Sequence, residues 1–302
     1  MHCSLIKFWI TRLWRAIQLK FFERVWENFC PQKFSQLSSF PLFFLFSVIG
    51  LSLFLLAPFF APFDPLQTDM LAVCQAPSMK HWFGTDDVGR DILSRMLYGA
   101  RVTIGIGLTA TFLACVIGTV LGLLSGYYGG KTDLVLNQLV DIALAFPALL
   151  LAIGITVVLP PGVFSVLLAL GLASWGDFAR LIRSQTLVLK NAPFVLAAKV
   201  LGSSSRSICF RHILPNCFSL IVVSASLKMG TFMLAESGLS FLGLGLPPPS
   251  PTLGGMIAAG RDHLMTSPWI PLIPGILIAG IVLLANFLGE MLQKKMDPKR
   301  AE

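Results

Sequence analysis

Charge is what this sequence has least of. Asp, Glu, Lys and Arg make up 13% of its 302 residues, about half the roughly 25% of an ordinary soluble chain. A soluble domain needs a polar skin, and 23 basic plus 15 acidic side chains are too few to cover a protein this size. A soluble enzyme, a disordered chain and a nucleic-acid-binding module are thereby excluded. Paired cysteines are missing as well. Cys3, Cys30, Cys74, Cys115, Cys209 and Cys217 show no CxxC spacing, so neither a disulfide framework nor a metal site is indicated. Catalytic signatures are missing too: no GxSxG elbow or HExxH pair occurs, and the four histidines are scattered. Residues 129–132 (GGKT) approach a phosphate-binding loop, but Ser125 stands where that loop needs its first glycine. ATP binding and enzymatic activity are therefore not expected of this chain, and no cofactor or metal is assigned to it. Nor are there regularly spaced intramembrane carboxylates of the kind an ion relay uses; Asp141 and Asp177 fall near predicted span ends, where water reaches them.

What is present is apolar sequence in long runs. Hydrophobic residues are 55% and the mean hydropathy is +0.77, so the chain is read as an integral membrane protein. A helical span needs about 20 apolar residues. Six stretches qualify: 41–60, 102–127, 139–159, 163–182, 218–239 and 270–288. The first lies too far along the chain, and is too long, for a cleaved signal peptide. The expected fold is an all-α bundle of six transmembrane helices. The organisation read from it is a basic and aromatic segment 1–40, a first span with an external segment (41–100), a core (101–294) and a tail (295–302).

Orientation follows from where positive charge gathers. With the N-terminus inside, segments 1–40, 128–138, 180–217 and 289–302 are cytoplasmic and hold seventeen of the Lys and Arg residues; the external segments 61–101 and 240–269 hold five. Cytoplasmic loops carry the excess of Lys and Arg, so both termini are expected in the cytoplasm. The first 40 residues alternate basic with aromatic side chains and read as a helix along the inner lipid surface. Gly105, Gly107, Gly118, Gly122 and Gly126 in the second span invite close helix approach.

Two features carry the functional reading. Between the fourth and fifth spans lies the segment 184–216, too polar to cross and too patterned for a linker. Residues 194–200 read as a short amphipathic helix, broken by Gly202 and the serines after it. A second short helix carries Arg206, Arg211 and His212, and Pro215 opens the next span. The pattern fits a docking element for a cytoplasmic partner, or a solvated connector. The other feature is Lys228, near the middle of the fifth span, where a charge faces a bundle interior or water. Glu236 is eight residues on, about 80° round the helix and roughly 12 Å along it. The two cannot pair directly; they line one aqueous route, or Lys228 snorkels to a local polar pocket.

Several motifs together resemble a known family. Residues 196–202 (LAAKVLG) and 211–216 (RHILPN) are similar to the EAA-type coupling loop of ABC import permeases. Residues 81–86 (HWFGTD) with 89–91 (GRD), 145–147 (AFP), 174–175 (SW) with 179–180 (AR), 236–245 (ESGLSFLGLG), 268–269 (PW) and 297–298 (DP) resemble the C-type subunit of its dipeptide/oligopeptide/nickel branch. The likeness runs in order over about residues 41–300. It implies a six-span permease subunit in a bacterial cytoplasmic (inner) membrane. It also implies a second permease subunit, two cytoplasmic ATPase subunits that bind the ATP, and an external substrate-binding protein facing segment 61–101. Leu196, Ala197, Ala198, Gly202, Arg206, His212 and Pro215 would then couple to the ATPase, and Lys228 and Glu236 would belong to the translocation pathway. One departure stands out: the family's motif opens with glutamate, and this chain has Leu196 there. Peptide import is the reading favoured. A nickel-complex permease of the same family, a secondary transporter and a non-transporting scaffold are the alternatives.

Overall fold

In a computed structural model of the protein, residues 60–296 are described. The predicted first span (41–60), the basic segment before it and the last six residues of the tail lie outside them, Phe60 apart.

Among the described residues, eight helices of eight residues or more follow in order: α1 (Ile92–Tyr128), α2 (Gly130–Ala145), α3 (Ala148–Val158), α4 (Val163–Leu189), α5 (Pro193–Val200), α6 (Leu214–Phe241), α7 (Leu253–Gly260) and α8 (Trp269–Met296). No strand occurs among them beyond an isolated bridge between Thr85 and Asp91. Helices α1, α4, α6 (with its lead-in from Ser205) and α8 are each long and apolar enough to cross a membrane. Helices α2 and α3 qualify only together, bent by 87°. Counting that pair, the described residues hold up to five spans.

Two expectations are corrected. The stretch 139–159 is not one straight helix, because Phe146 and Pro147 leave the helical region; proline lacks the N–H a continuing helix would use and pushes its predecessor toward extended backbone. The second short helix expected in segment 184–216 is not separate either. Ser205–Ser207 runs through a π-helical stretch, Ile208–Ile213, directly into α6, so Pro215 lies within continuous helix instead of opening one.

Glycine sets the central packing. A Cβ on Gly118, Gly122 or Gly126 of α1 would come within 2.4 to 2.9 Å of the carbonyl oxygens of Trp175, Ala179 and Arg183 on α4. The two backbones touch over two turns, as small residues at fourfold spacing permit. Gly107 packs instead against the Met233 side chain of α6, and Gly105 faces open space. Three apolar clusters then stack along the bundle. Ile92, Met96, Ile104, Met233, Leu253 and Ile281 form one; Ile106, Ala110, Val166, Leu170, Phe178 and Phe232 the next. Leu123, Ile182, Val195, Ile208 and Ile213 form the third, beneath α5.

Residues 60–91 lack long helices and are fixed by side chains. Asp91 caps α1, accepting from the Ser94 N–H at 2.8 Å and its hydroxyl at 2.7 Å, while its other oxygen meets His81 Nδ1 at 3.0 Å. Asp86 accepts from the Val88 and Arg90 N–H groups and from Arg90 Nε at 2.7 Å. Arg95 Nη1 reaches back to the Pro65 carbonyl at 3.0 Å. Gly89 has φ +77°, and a Cβ there would lie 1.8 Å from the Asp69 carbonyl oxygen.

Candidate functional site

The loop between α4 and α6 is built from a stop, a start and a second stop. Helix α4 ends at Leu189, and Lys190 Nζ donates to the Gly126 carbonyl at 3.1 Å, tying the loop to α1. Proline at the first position of α5 starts the next helix, where its missing N–H costs nothing. At the far end the Gly202 N–H donates to the Lys199 carbonyl and the Ser203 N–H to the Ala198 carbonyl, both at 3.0 Å. That is a Schellman stop, which calls for a residue in the left-handed region; Gly202 has φ +78°, with open space where a Cβ would stand. Ser204 then accepts from the Ser207 N–H at 3.3 Å and begins the lead-in to α6.

Two side chains hold α5 down. Val195 and Ala198 are buried against Leu123, Ile182, Ile208, Cys209 and Ile213. The opposite face points away from the bundle: Leu196 is 47% exposed, Val200 88% and Leu201 85%, with Phe194 beside them. Ala197 and Arg206 are exposed. His212 and Pro215 stand further along, in the lead-in and first turn of α6. The structure thus brings Leu196, Ala197 and Gly202 to one outward surface, with Ala198 serving as an anchor beneath it. Lys199 Nζ sits 5.5 Å from the Tyr127 ring centroid. A small helix with an apolar outer face, gripped by two buried residues, can take up a neighbouring chain and pass its displacement to α4 and α6.

Above the loop, Asp133 of α2 accepts from Arg183 Nε at 2.6 Å and Nη2 at 2.7 Å, with the Ser125 hydroxyl as a third donor. This bidentate pair joins α1, α2 and α4.

The charged residues of the fifth span are separated, not joined. Lys228 Nζ donates to Asp177 Oδ2 of α4, and both line a cleft of about 380 Å³ with Phe178, Leu181, Ser224, Leu227 and Thr231. Glu236, expected on the same route, is instead fully enclosed. The Thr103 hydroxyl of α1 donates to its Oε2 at 2.6 Å and the Ser240 hydroxyl to its Oε1 at 2.7 Å. It sits on the side of α6 turned to α1, where it links two helices and is absent from the lining of that cleft.

Asp177 is the residue that sequence reasoning missed. The apolar run of the fourth span ends at residue 182, which puts Asp177 near an end; α4 continues to Leu189, and Asp177 is near the middle of the helix. An unexplained lysine one helix away, also near mid-helix, was the available signal, because a charge at membrane depth, costing on the order of 3 kcal/mol or more, calls for a partner.

A sequence profile of the family described as binding-protein-dependent transport system inner membrane component matches residues 118–302, more than half of the chain. The chain belongs to this family. It is the membrane-embedded component of a transport system. Among its relatives within the family, the dipeptide transport system permease protein DppC of Alkalihalophilus pseudofirmus is 40% identical over 273 residues, covering 90% of this chain and 89% of that one. The oligopeptide transport system permease protein OppC of Bacillus subtilis is 37% identical over 287 residues, 95% of this chain and 90% of that one. The glutathione transport system permease protein GsiD of Escherichia coli is 38% identical over 256 residues, 84% of each chain. Among solved structures, an inward-facing form of the MetNI methionine ABC transporter superposes with a TM-score of 0.55 at 16% identity, over 67% of this chain and 96% of that one. That likeness establishes the fold as an ABC-transporter permease architecture.

Proposed function

We propose that this chain is one of two permease subunits of an ATP-driven importer of peptides. Its partners are a second, similar permease, two cytoplasmic ATPase subunits that bind the ATP, and an external binding protein that delivers cargo. The family's description, a binding-protein-dependent inner membrane component, supports the membrane and the delivery protein. The relatives described above are named for dipeptides, oligopeptides and glutathione, all of them peptides, which favours peptide cargo over a nickel complex. Both chain ends lie in the cytoplasm, on the strength of the seventeen-to-five distribution of basic residues. This chain performs no covalent chemistry.

The observation that carries the reading is the outward apolar face of α5. ATP binding closes the ATPase pair; a cleft on each ATPase subunit holds one such helix around Leu196, Ala197 and Gly202, with Arg206, His212 and Pro215 behind it. The Val195 and Ala198 anchors convey that movement to α4 and α6, and the two permeases exchange between inward-open and outward-open packings. Two discrete packings around one passage are what alternating access requires. The test is uptake of a labelled peptide by vesicles holding the four-subunit complex, with the binding protein outside and ATP supplied to the ATPase side. Accumulation is expected only with ATP. Accumulation driven by an ion gradient in its absence would show a secondary transporter, and none under any condition would leave a scaffold.

A further inference from the structure

The cleft between α4 and α6 joins two opposite charges, each on the middle turns of a long apolar helix. Asp177 is the fifteenth of the 27 residues of α4, and Lys228 the fifteenth of the 28 residues of α6. About 20 Å of helix therefore extends on either side of each. Yet neither is enclosed: the Lys228 side chain is 33% exposed and that of Asp177 43%. Facing lipid tails with so much ionic surface is strongly unfavourable. Glu236 shows how the same bundle treats a carboxyl that only joins helices. It is fully buried and met by two close hydroxyl donors, from Thr103 and Ser240. The Asp177–Lys228 pair is left open on one side, and that side is a cleft.

The lining of the cleft describes a ligand. Its volume of about 380 Å³ is within the range of small-molecule sites. One anionic and one cationic group stand together, Ser224 and Thr231 add two hydroxyls, and Phe178, Leu181 and Leu227 make apolar walls. A solute matching this set carries an ammonium and a carboxylate at its two ends, amide groups between them and side chains of no fixed character. We propose that Asp177 and Lys228 form a transit site for zwitterionic peptides, Asp177 taking the α-ammonium and Lys228 the α-carboxylate. This rests on the peptide-importer reading above and adds the residues that meet the cargo inside the membrane. Without cargo the two side chains satisfy each other. An entering peptide exchanges that one pair for two, so no charge is left without a partner in either state. Ion pairs open to water are weak, so the exchange is easy in both directions, and passage requires binding loose enough to release. Apolar walls without a further charge read the main chain and not the sequence of the cargo.

The test uses the assembled four-subunit transporter in vesicles, with its binding protein saturated by a free-ended tripeptide. Asp177→Asn and Lys228→Met are each expected to lower maximal uptake roughly ten- to a hundredfold, the loss of one charge-assisted hydrogen bond, with unchanged affinity of the binding protein for the peptide. A single change also leaves its partner charge alone, which by itself harms a membrane helix. The double variant Asp177→Asn, Lys228→Met removes both charges and separates the two roles. A pair that only joins helices is replaceable by neutral residues, so that variant would then transport like the parent; a transit site stays at least as impaired as either single variant. In a cysteine-free background, Ser224→Cys is expected to react with a hydrophilic, membrane-impermeant thiol reagent and to be shielded when peptide is trapped during turnover. Parental uptake by the double variant, or an inert Ser224→Cys, overturns the site while leaving the importer reading intact. Absence of peptide uptake by the parent complex itself overturns the importer reading, and the site with it.

Discussion

Two of the described segments outside the long helices are held in opposite ways. Residues 60–91 are knitted by buried polar groups: His81 on Asp91, Arg90 on Asp86, Arg95 on the Pro65 carbonyl. The α5 loop has one such tie, Lys190 on the Gly126 carbonyl, and α5 itself is held mainly by two apolar side chains, Val195 and Ala198, and by one glycine stop. Directional bonds to many partners give a segment a single shape, because displacing it strands several buried groups at once. Two apolar contacts grip without fixing direction, since burial of hydrocarbon is not directional. The first segment is thereby fixed as a cap on α1, whereas α5 keeps an apolar outer face with few directional ties.

Substitutions that remove one glycine from each segment break this comparison most sharply. Gly89→Ala places a methyl group 1.8 Å from the Asp69 carbonyl oxygen at φ +77°. The backbone must shift, at a cost of about 3 kcal/mol or more from overlap and strain together. The expected outcome is a large drop in membrane abundance, with a lowered melting temperature for whatever protein survives. Gly202→Val meets no neighbour, so only the left-handed backbone is strained, by roughly 1–2 kcal/mol, in a turn outside the bundle. Normal abundance is expected, with uptake strongly reduced and the ATPase subunit lost on co-purification. If this variant transports and keeps its ATPase like the parent, the loop is an ordinary connector. The smallest effect is expected from Leu196→Glu. An exposed carboxylate in an ion pair contributes about 1 kcal/mol at most, so folding and uptake should stay near parental, with retention of the ATPase through a salt wash equal or slightly better. A loss of uptake there would show that Leu196 serves through its apolar surface.

The α5 helix was legible from the sequence almost to the residue, 194–200 against Pro193–Val200, because proline, apolar spacing and glycine all agree within ten residues. The continuation of the loop was not. Ser203, Ser204 and Ser205 interrupt the apolar pattern, and nothing local shows that helix resumes at once and joins α6 through a π-helical stretch. The bend at Phe146 and Pro147 was hidden for the opposite reason: apolar residues continue across it, so hydropathy read one span where the backbone makes two helices. The shape of residues 60–91 depends on hydrogen bonds such as the Phe63 N–H on the Ser94 hydroxyl, 31 positions apart, and on packing of Gly84 against Trp269, which no short-range pattern records. Lys228 was legible as an anomaly, but its partner lies 51 residues away on another helix, and its apparent neighbour Glu236 turns to a different face.

The row Gly118, Gly122 and Gly126 has a mechanical consequence. Each rests on a carbonyl oxygen of α4, four residues apart on both helices, so α1 and α4 mesh like a rack and its teeth. Sliding one along the other by a single residue turns Thr119, Leu123 and Tyr127 toward those oxygens, and no room exists for them at that separation. A shift that keeps glycine on carbonyl must span four residues, about 6 Å. Within that register the two helices form one rigid rod, with α5 following its Leu189 end and Asp177 partway along its length.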